Sequence, residues 1–173
     1  MSSIVTIAVG SNIDPLNNIP RALTLLSKKI QLTHISNTYK TAPVGLIDQA
    51  DFFNLCIRGL SSSPPLTIKQ TILRPIESEC GRIRSSDPNS PRTIDLDIIL
   101  YDDLILNDPS LELPDPGISK FAHISVPLAD IAGQECHPIT QQSFMNIASD
   151  DYAKFQLKKV SIPALSTLIS AAN

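Results

Sequence analysis

Charged side chains are scarce in this chain: Asp, Glu, Lys and Arg make up 18% of its 173 residues, and the formal net charge is −3. A nucleic-acid surface needs a broad basic stripe, so that class of partner is excluded and any basic function must be local. Cysteine is scarce too. Cys56, Cys80 and Cys136 are odd in number, widely separated and without metal-ligand spacing, which reads as reduced, buried thiols rather than a disulfide framework or a metal site. No apolar run approaches membrane-spanning length, and Met1-Ser2-Ser3-Ile4 offers no basic segment ahead of an apolar core, so neither a membrane nor a secretory leader is expected. No repeat or low-complexity tract stands out. What remains is a soluble, cytoplasmic, monomeric protein of one domain, 1–173, with its core over about 4–132 and an extension over about 133–173.

Against that sparse background one stretch is crowded. Gly81-Arg82-Ile83-Arg84 is followed, after a short polar loop, by Pro91-Arg92-Thr93-Ile94-Asp95-Leu96-Asp97-Ile98. If residues 93–101 form a strand, Thr93, Asp95 and Asp97 share one face while Ile94, Leu96 and Ile98 share the other. Two carboxylates projecting together suit Mg²⁺, which binds through one or two carboxylates plus substrate phosphates. Arg82, Arg84 and Arg92 supply forked donors for those phosphates. Taken singly, each residue fits an ordinary half-buried strand beside loop arginines. Their clustering within seventeen positions favours a metal–polyphosphate site.

Around this stretch the pattern predicts alternating strands and helices. Residues 4–9 are β-branched and end at the turn signal Gly10-Ser11-Asn12, giving a buried first strand. Leu16, Ile19, Leu23 and Leu26 recur at helical spacing after Asp14 as cap and Pro15 at the first position, so a helix to about Lys29 follows. Residues 30–39 and 52–61 read as strands. The segment Thr41 to Asp51 between them is too long for a tight hairpin and suggests a functional loop. A second helix is predicted from Ser63 (cap) and Pro64 to Gly81, with Ile68, Ile72, Ile76 and Cys80 as its core stripe and a kink or break at Pro75. Strand, helix, strand, strand, helix, strand is the split βαβ order of a ferredoxin-like α+β fold, an antiparallel sheet with both helices on one face. Beyond Tyr101, Pro109, Pro114, Pro116 and Pro127 argue against long regular elements. Only weak helical patterns are left near 143–148 and 163–172.

Thr38-Tyr39-Lys40-Thr41-Ala42-Pro43-Val44-Gly45, Asp51-Phe52-Phe53-Asn54, Gly81-Arg82-Ile83-Arg84 and the Pro91–Ile98 block resemble the sequence blocks of the 6-hydroxymethyl-7,8-dihydropterin pyrophosphokinase family, in the same order and with similar gaps. The resemblance implies transfer of diphosphate from ATP to the hydroxymethyl group of a reduced pterin, a step of folate biosynthesis that releases AMP. By that resemblance Asp95 and Asp97 hold two Mg²⁺ ions, and Arg82, Arg84 and Arg92 bind phosphates. Glu77 and the Ile98 backbone lie near the nucleotide. Thr41, Val44, Phe52, Asn54 and His123 surround the pterin, with Phe53 left to packing. Such chemistry is positioning plus electrostatics and needs no covalent nucleophile. The 82–91 loop, on this reading, closes over ATP to exclude water.

The chain also departs from the family pattern. Where relatives commonly carry His, Arg and a stacking aromatic, it has Asp115, Phe121 and His123, with Lys120 as a candidate substitute for the lost arginine. Two alternatives therefore stand beside the enzyme. One is a paralogue that binds pterin or nucleotide without normal turnover. The other is a diphosphotransferase for a different hydroxymethyl heterocycle.

Overall fold

In the computed structural model, residues 2–43, 48–83, 90–155, 157–166 and 168 are described, 150–155 by their backbone alone. Val44, Arg84, most of the expected lid and the end of the second weak C-terminal helix pattern lie outside the described residues. Strand β1 (Ser3–Ser11) leads into helix α1 (Pro15–Ser27) and strands β2 (Gln31–Ile35), β3 (Thr38–Thr41) and β4 (Phe52–Ser61). A helical arm follows, made of α2 (Pro65–Ile68), a π turn (Lys69–Leu73) and α3 (Arg74–Glu79). Then come β5 (Asp95–Tyr101), the small hairpin β6 (Leu106–Asp108) and β7 (Leu111–Leu113), helices α4 (Ala122–Ala132) and α5 (Phe144–Phe155), and strand β8 (Lys158–Val160).

The sheet runs β5-β1-β4-β3-β8 and is antiparallel throughout. β2 and β3 succeed each other along the same side of β4. At their junction Ser36 bonds the Cys56 backbone twice, its N–H donating to the Cys56 carbonyl and its side-chain Oγ accepting from the Cys56 N–H, both at 2.9 Å. The central order is the expected split βαβ arrangement. Val5, Ile7, Val9, Leu55, Ile57, Leu96 and Ile98 point to one side and form the main core with Ile19, Leu23 and Leu26 of α1 and Ile68, Leu73 and Ile76 of the helical arm. Both crossover helices thus share one face.

Three local readings are corrected. Asp14 does not cap α1 with its side chain; it sits at φ 44°, and its carboxylate accepts from Asn17 Nδ2 at 2.9 Å. The second helix starts one residue later than expected, with Pro65 at its first position. Its kink at Pro75 is replaced by the π turn just before it, whose wider spacing accommodates the backbone bond that Pro75 cannot donate. The extra residue of that turn hands the inward place four beyond Ile68 to Leu73, which is fully buried, and leaves Ile72 half-buried.

The larger correction is on the opposite face of the sheet. α4 runs straight through Pro127, because it is buried on most sides between the sheet and α5, through Val126, Leu128, Ala129 and Ala132. Packing of that extent outweighs one missing backbone bond. Cys56, Ile99, Ile118, Leu128 and Phe144 form a second core there, and Tyr39, Val126 and Ala148 a third. Polar anchors fix the helix. Asp130 accepts from Tyr39 Oη (3.1 and 3.0 Å), from Asn37 Nδ2 (2.9 Å) and from the Asn37 N–H (3.1 Å). Just past the helix end, Glu135 binds Arg58 bidentately at 2.5 Å. Cys56 and Cys80 are buried, as expected, but Cys136 is exposed in the α4–α5 connection. Among the described residues no helix is long and apolar enough to cross a membrane.

Asp130→Ala should lower unfolding free energy by about 1–2 kcal/mol, since it removes a charged acceptor of several bonds. Urea denaturation followed by far-UV circular dichroism measures it, and an unchanged midpoint would refute the anchoring role.

Candidate active site

A cleft of about 260 Å³ opens where β1, β4 and β5 run side by side beneath the start of α4. Its floor is set by one register position: Gly10 of β1 is paired with Asn54 of β4 on one side and with Asp95 of β5 on the other. A Cβ at Gly10 would lie 3.1 Å from Asn54 Oδ1 and 3.9 Å from both Asp95 Cβ and Phe52 Cδ1. The glycine keeps the floor open between an amide and a carboxylate. Read from sequence as the start of a turn, Gly10 and Ser11 instead complete the strand; only the ladder partners reveal that role.

On the carboxylate side, period-two alternation along β5 sends Asp95, Asp97 and Ile99 into the cleft and buries Leu96 and Ile98 behind it. Thr93, expected on the same face, precedes the strand. Asp95 is gripped by two guanidinium groups: Arg82 Nη1 donates to its Oδ1 and Arg92 Nη1 to its Oδ2. Arg82 also pairs with Glu77 and reaches the Ile94 carbonyl at 3.3 Å. Burial works against the Arg82 charge, but Asp95, Glu77 and Asp97 outweigh it and hold the guanidinium more firmly protonated. Glu77 does not line the cleft. It is 3% exposed, and its Oε1 accepts from the Leu96 N–H at 2.9 Å while pairing with Arg82. In the ligand-free protein Glu77 braces Arg82 and β5. That Leu96 N–H points away from β1, and two residues on the Ile98 backbone takes the same outward side of the edge strand.

Asp97 lies at the floor, reached by solvent yet walled by protein. Desolvation, then the neighbouring charges of Asp95, Glu77 and Asp115, push its carboxyl up to about 7, with Lys69 opposing. Asp115 lines the cleft from the turn before α4. Its Oδ1 accepts from the Gly117 N–H at 2.6 Å, and burial raises its carboxyl against that bond. Asp95 and Asp97 form a hard-oxygen pair, and among the described residues no group of three His, Cys, Asp or Glu side chains is placed to hold a metal by itself. The donor set fits Mg²⁺ completed by phosphate oxygens rather than an all-protein cage.

On the amide side, Asn54 is 6% exposed and its Nδ2 donates to Thr41 Oγ1 at 2.8 Å. Phe52 lines the cleft with the Arg92 guanidinium 6.0 Å above its ring, whereas Phe53, one residue on, packs against the main core. The far wall is Phe121 stacked on His123, with ring centroids 5.2 Å apart and planes at 23°. Burial lowers the His123 pKa, with Asp95 opposing, so the ring favours its neutral form. Lys120 is exposed and does not line the cleft, but its charge acts on the Asp115 carboxyl that does. The structure therefore brings together Thr41, Phe52, Asn54, Arg92, Asp95, Asp97 and His123, with Arg82 held against Asp95.

A model of the family described as 7,8-dihydro-6-hydroxymethylpterin-pyrophosphokinase (HPPK) matches residues 6–133. The 2-amino-4-hydroxy-6-hydroxymethyldihydropteridine pyrophosphokinase of Bacillus subtilis is 35% identical over 137 residues, covering 78% of this chain and 81% of that protein. The Aquifex aeolicus protein of the same name is 28% identical over 151 residues, 87% and 93% of the two chains. A folate synthesis bifunctional protein of Arabidopsis thaliana is 35% identical over 133 residues, and the match spans 27% of its length. The crystal structure of wild-type Plasmodium falciparum HPPK-DHPS superposes with a TM-score of 0.70 over 89% of this chain and 45% of that one, at 13% identity, a likeness of fold alone.

Because the Asp97 carboxyl binds its proton more tightly when folded (about 7) than at its ordinary 3.8, the ligand-free protein loses stability from this group as pH rises from about 4 to 7. Asp97→Asn should therefore melt above wild type at pH 8 without ligand, with the difference closing near pH 4. Thermal scans at both pH values check this; equal midpoints at pH 8 would contradict the crowded-carboxylate picture.

Proposed function

Since the chain belongs to the 7,8-dihydro-6-hydroxymethylpterin-pyrophosphokinase family, we propose that it transfers the terminal diphosphate of ATP to the hydroxymethyl group of 6-hydroxymethyl-7,8-dihydropterin, giving the pterin diphosphate and AMP. The observation that carries this reading is the floor of the cleft, where a pterin-reading amide, Asn54, and a phosphate-side carboxylate, Asp95, flank Gly10 on adjacent strands.

In this reading the pterin lies between Phe52 and the Phe121–His123 pair. Its face is met by aromatic rings, and its amide-like edge by Asn54, which offers both a donor and an acceptor. A neutral His123 suits that place, since an imidazolium would carry unpaired charge against the ring. ATP enters from the β5 side, with the outward Ile98 backbone facing the adenine. Asp95 and Asp97 would hold Mg²⁺, which when bound draws negative charge off the phosphate chain. Arg82 and Arg92, both held against Asp95 without ligand, turn to phosphate oxygens, where their forked donors stabilise charge through transfer. The hydroxymethyl oxygen forms its bond to the β-phosphorus, the bond from that phosphorus to the α-bridging oxygen breaks, AMP leaves and the hydroxyl proton passes to water. Arg84 and Val44 keep their expected roles, as phosphate ligand and pterin-side backbone, within this proposal.

A second reading, binding without turnover, is favoured by one feature: Phe121 and Asp115 stand where a cationic clamp is expected. Incubation with ATP, Mg²⁺ and the hydroxymethyl-dihydropterin, followed by AMP release, separates the two. Turnover is the expected result; pterin binding without AMP would establish the second reading. Asp95→Ala, Arg82→Ala and Arg92→Ala should each reduce kcat by about 10²–10³ with the far-UV spectrum unchanged. Asn54→Ala should raise the pterin KM, and intact pterin affinity in that variant would overturn the substrate assignment.

A further inference from the structure

The outward edge of β5 is tied down on both sides of Ile98. The Leu96 N–H donates to Glu77 of the helical arm, and the Ile99 carbonyl accepts at 3.0 Å from the Asp115 N–H, just past β7. The arm and the β6–β7 hairpin both pack on β5, so they form the two walls beside that edge. Lys69, the first residue of the π turn, joins them: its Nζ donates to the Ser110 carbonyl, in the hairpin turn, at 2.7 Å. The turn is itself fixed, since the Ser110 N–H donates to Asp108 Oδ1 at 2.8 Å.

Lys69 differs from the two arginines of the site. Arg82 and Arg92 are each paired with Asp95, whereas among the described residues Lys69 has no ion pair, and its one hydrogen bond goes to a neutral carbonyl. An ammonium offers three donors, so two remain without a protein partner. The side chain is half-buried, yet its charge reaches the cleft: it acts on both Asp97 and Asp115 and opposes the rise of their carboxyls. Among the described residues that line the cleft, Arg92 is the only cation. A polyphosphate bound there needs further positive charge from groups beside the lining, and Lys69 stands on the outward side of β5, where neither arginine is held.

We infer that Lys69 is a nucleotide-binding residue of this chain, the cation that takes the phosphate nearest the nucleoside. This rests on the proposed function. In that reading the adenine faces the outward Ile98 backbone, and Arg82 and Arg92 serve the phosphates that are transferred; the α-phosphate joins these two parts and stays on AMP. Lys69 meets it by exchanging a neutral carbonyl for a phosphate oxygen, with no carboxylate partner to give up. A lysine is a compact point charge on a flexible stem and suits one phosphate oxygen, where a forked guanidinium suits two. Because the α-phosphate keeps its charge through the transfer, the contact serves ATP and AMP alike. Such uniform binding is felt in KM and in product retention more than in kcat.

AMP and adenosine, titrated separately and without metal by isothermal calorimetry, isolate the contact because they differ by that one phosphate. Wild type should bind AMP more tightly than adenosine. Lys69→Met, which keeps most of the side chain and removes its charge, should weaken AMP about tenfold or more and leave adenosine as it was. Lys69→Arg should retain most of the wild-type affinity. Lys69→Gln can still donate to the Ser110 carbonyl but carries no charge; it should lose AMP affinity as Lys69→Met does, and it decides the matter if Lys69→Met does not fold. In turnover, Lys69→Met should raise the KM for ATP and the inhibition constant for AMP by more than it lowers kcat. Equal weakening of AMP and adenosine would show a lysine that only braces the arm against the hairpin, and it overturns the assignment. Wild-type protein that binds AMP, with affinity unchanged in the uncharged variants, refutes the role of Lys69 alone; wild-type protein that binds no adenine nucleotide refutes the proposed function together with it.

Discussion

The carboxylate of Asp95, held between the guanidinium groups of Arg82 and Arg92, ties together three parts of the chain that the fold must bring to one point. Arg82 comes from just past α3, Arg92 from the segment entering β5, and Asp95 from the first residue of β5 itself. Two cations so close would repel each other without an anion between them, and partly buried charges are costly unless paired and hydrogen-bonded. Glu77 extends the pairing inward, joining Arg82 to the β5 backbone through the Leu96 N–H. The ligand-free site is thereby assembled with both arginines held at the cleft carboxylate.

The second face of the sheet supports this arrangement from behind. α4 supplies the His123 wall of the cleft, and it is fixed to the sheet by Asp130 on Tyr39 and Asn37 and, just past its end, by Glu135 on Arg58. β8 then closes the free edge of β3 with Lys158 and Lys159, and Lys159 also lies 5.7 Å from the Tyr39 ring centroid. Lysines on an edge strand discourage pairing with another chain. Ile162 and Leu165 carry the tail round to the main core. The described part of the C-terminal extension is therefore packed on the same core and sheet edge as β3.

Much of the central fold was legible because Phe53, Leu55 and Ile57 of β4 and Asp95 to Ile98 of β5 alternate, and the α1 stripe repeats at regular spacing. β4 appears with the expected bounds, 52–61, and the Phe52/Phe53 division follows directly from alternation. α4 was hidden because Pro127 interrupts a segment whose helicity comes from burial on nearly every side, a tertiary effect with no clear amphipathic signature. Leu73 replaced Ile72 in the core because one extra residue in a π turn shifts the face, which no four-residue repeat can register. Glu77 was placed near the nucleotide by the family resemblance alone. In three dimensions its side chain turns inward to a backbone N–H and is closed off from the cleft.

The sequence by itself determined the chemistry available to this protein. Two carboxylates at strand spacing with arginines beside them are legible in the residue order alone, and strand periodicity places both acids on one face whatever surrounds them. Tertiary structure alone decided which groups meet. The pairing of Gly10 with both Asn54 and Asp95 sets the amide and the acid one strand apart on each side, and the Asn12 carboxamide joins Arg92 to Gln49. These are contacts between residues roughly forty to eighty positions apart in the chain. Local spacing carries no information about them, because they arise only when the register of the ladder is complete and the turns are packed against it.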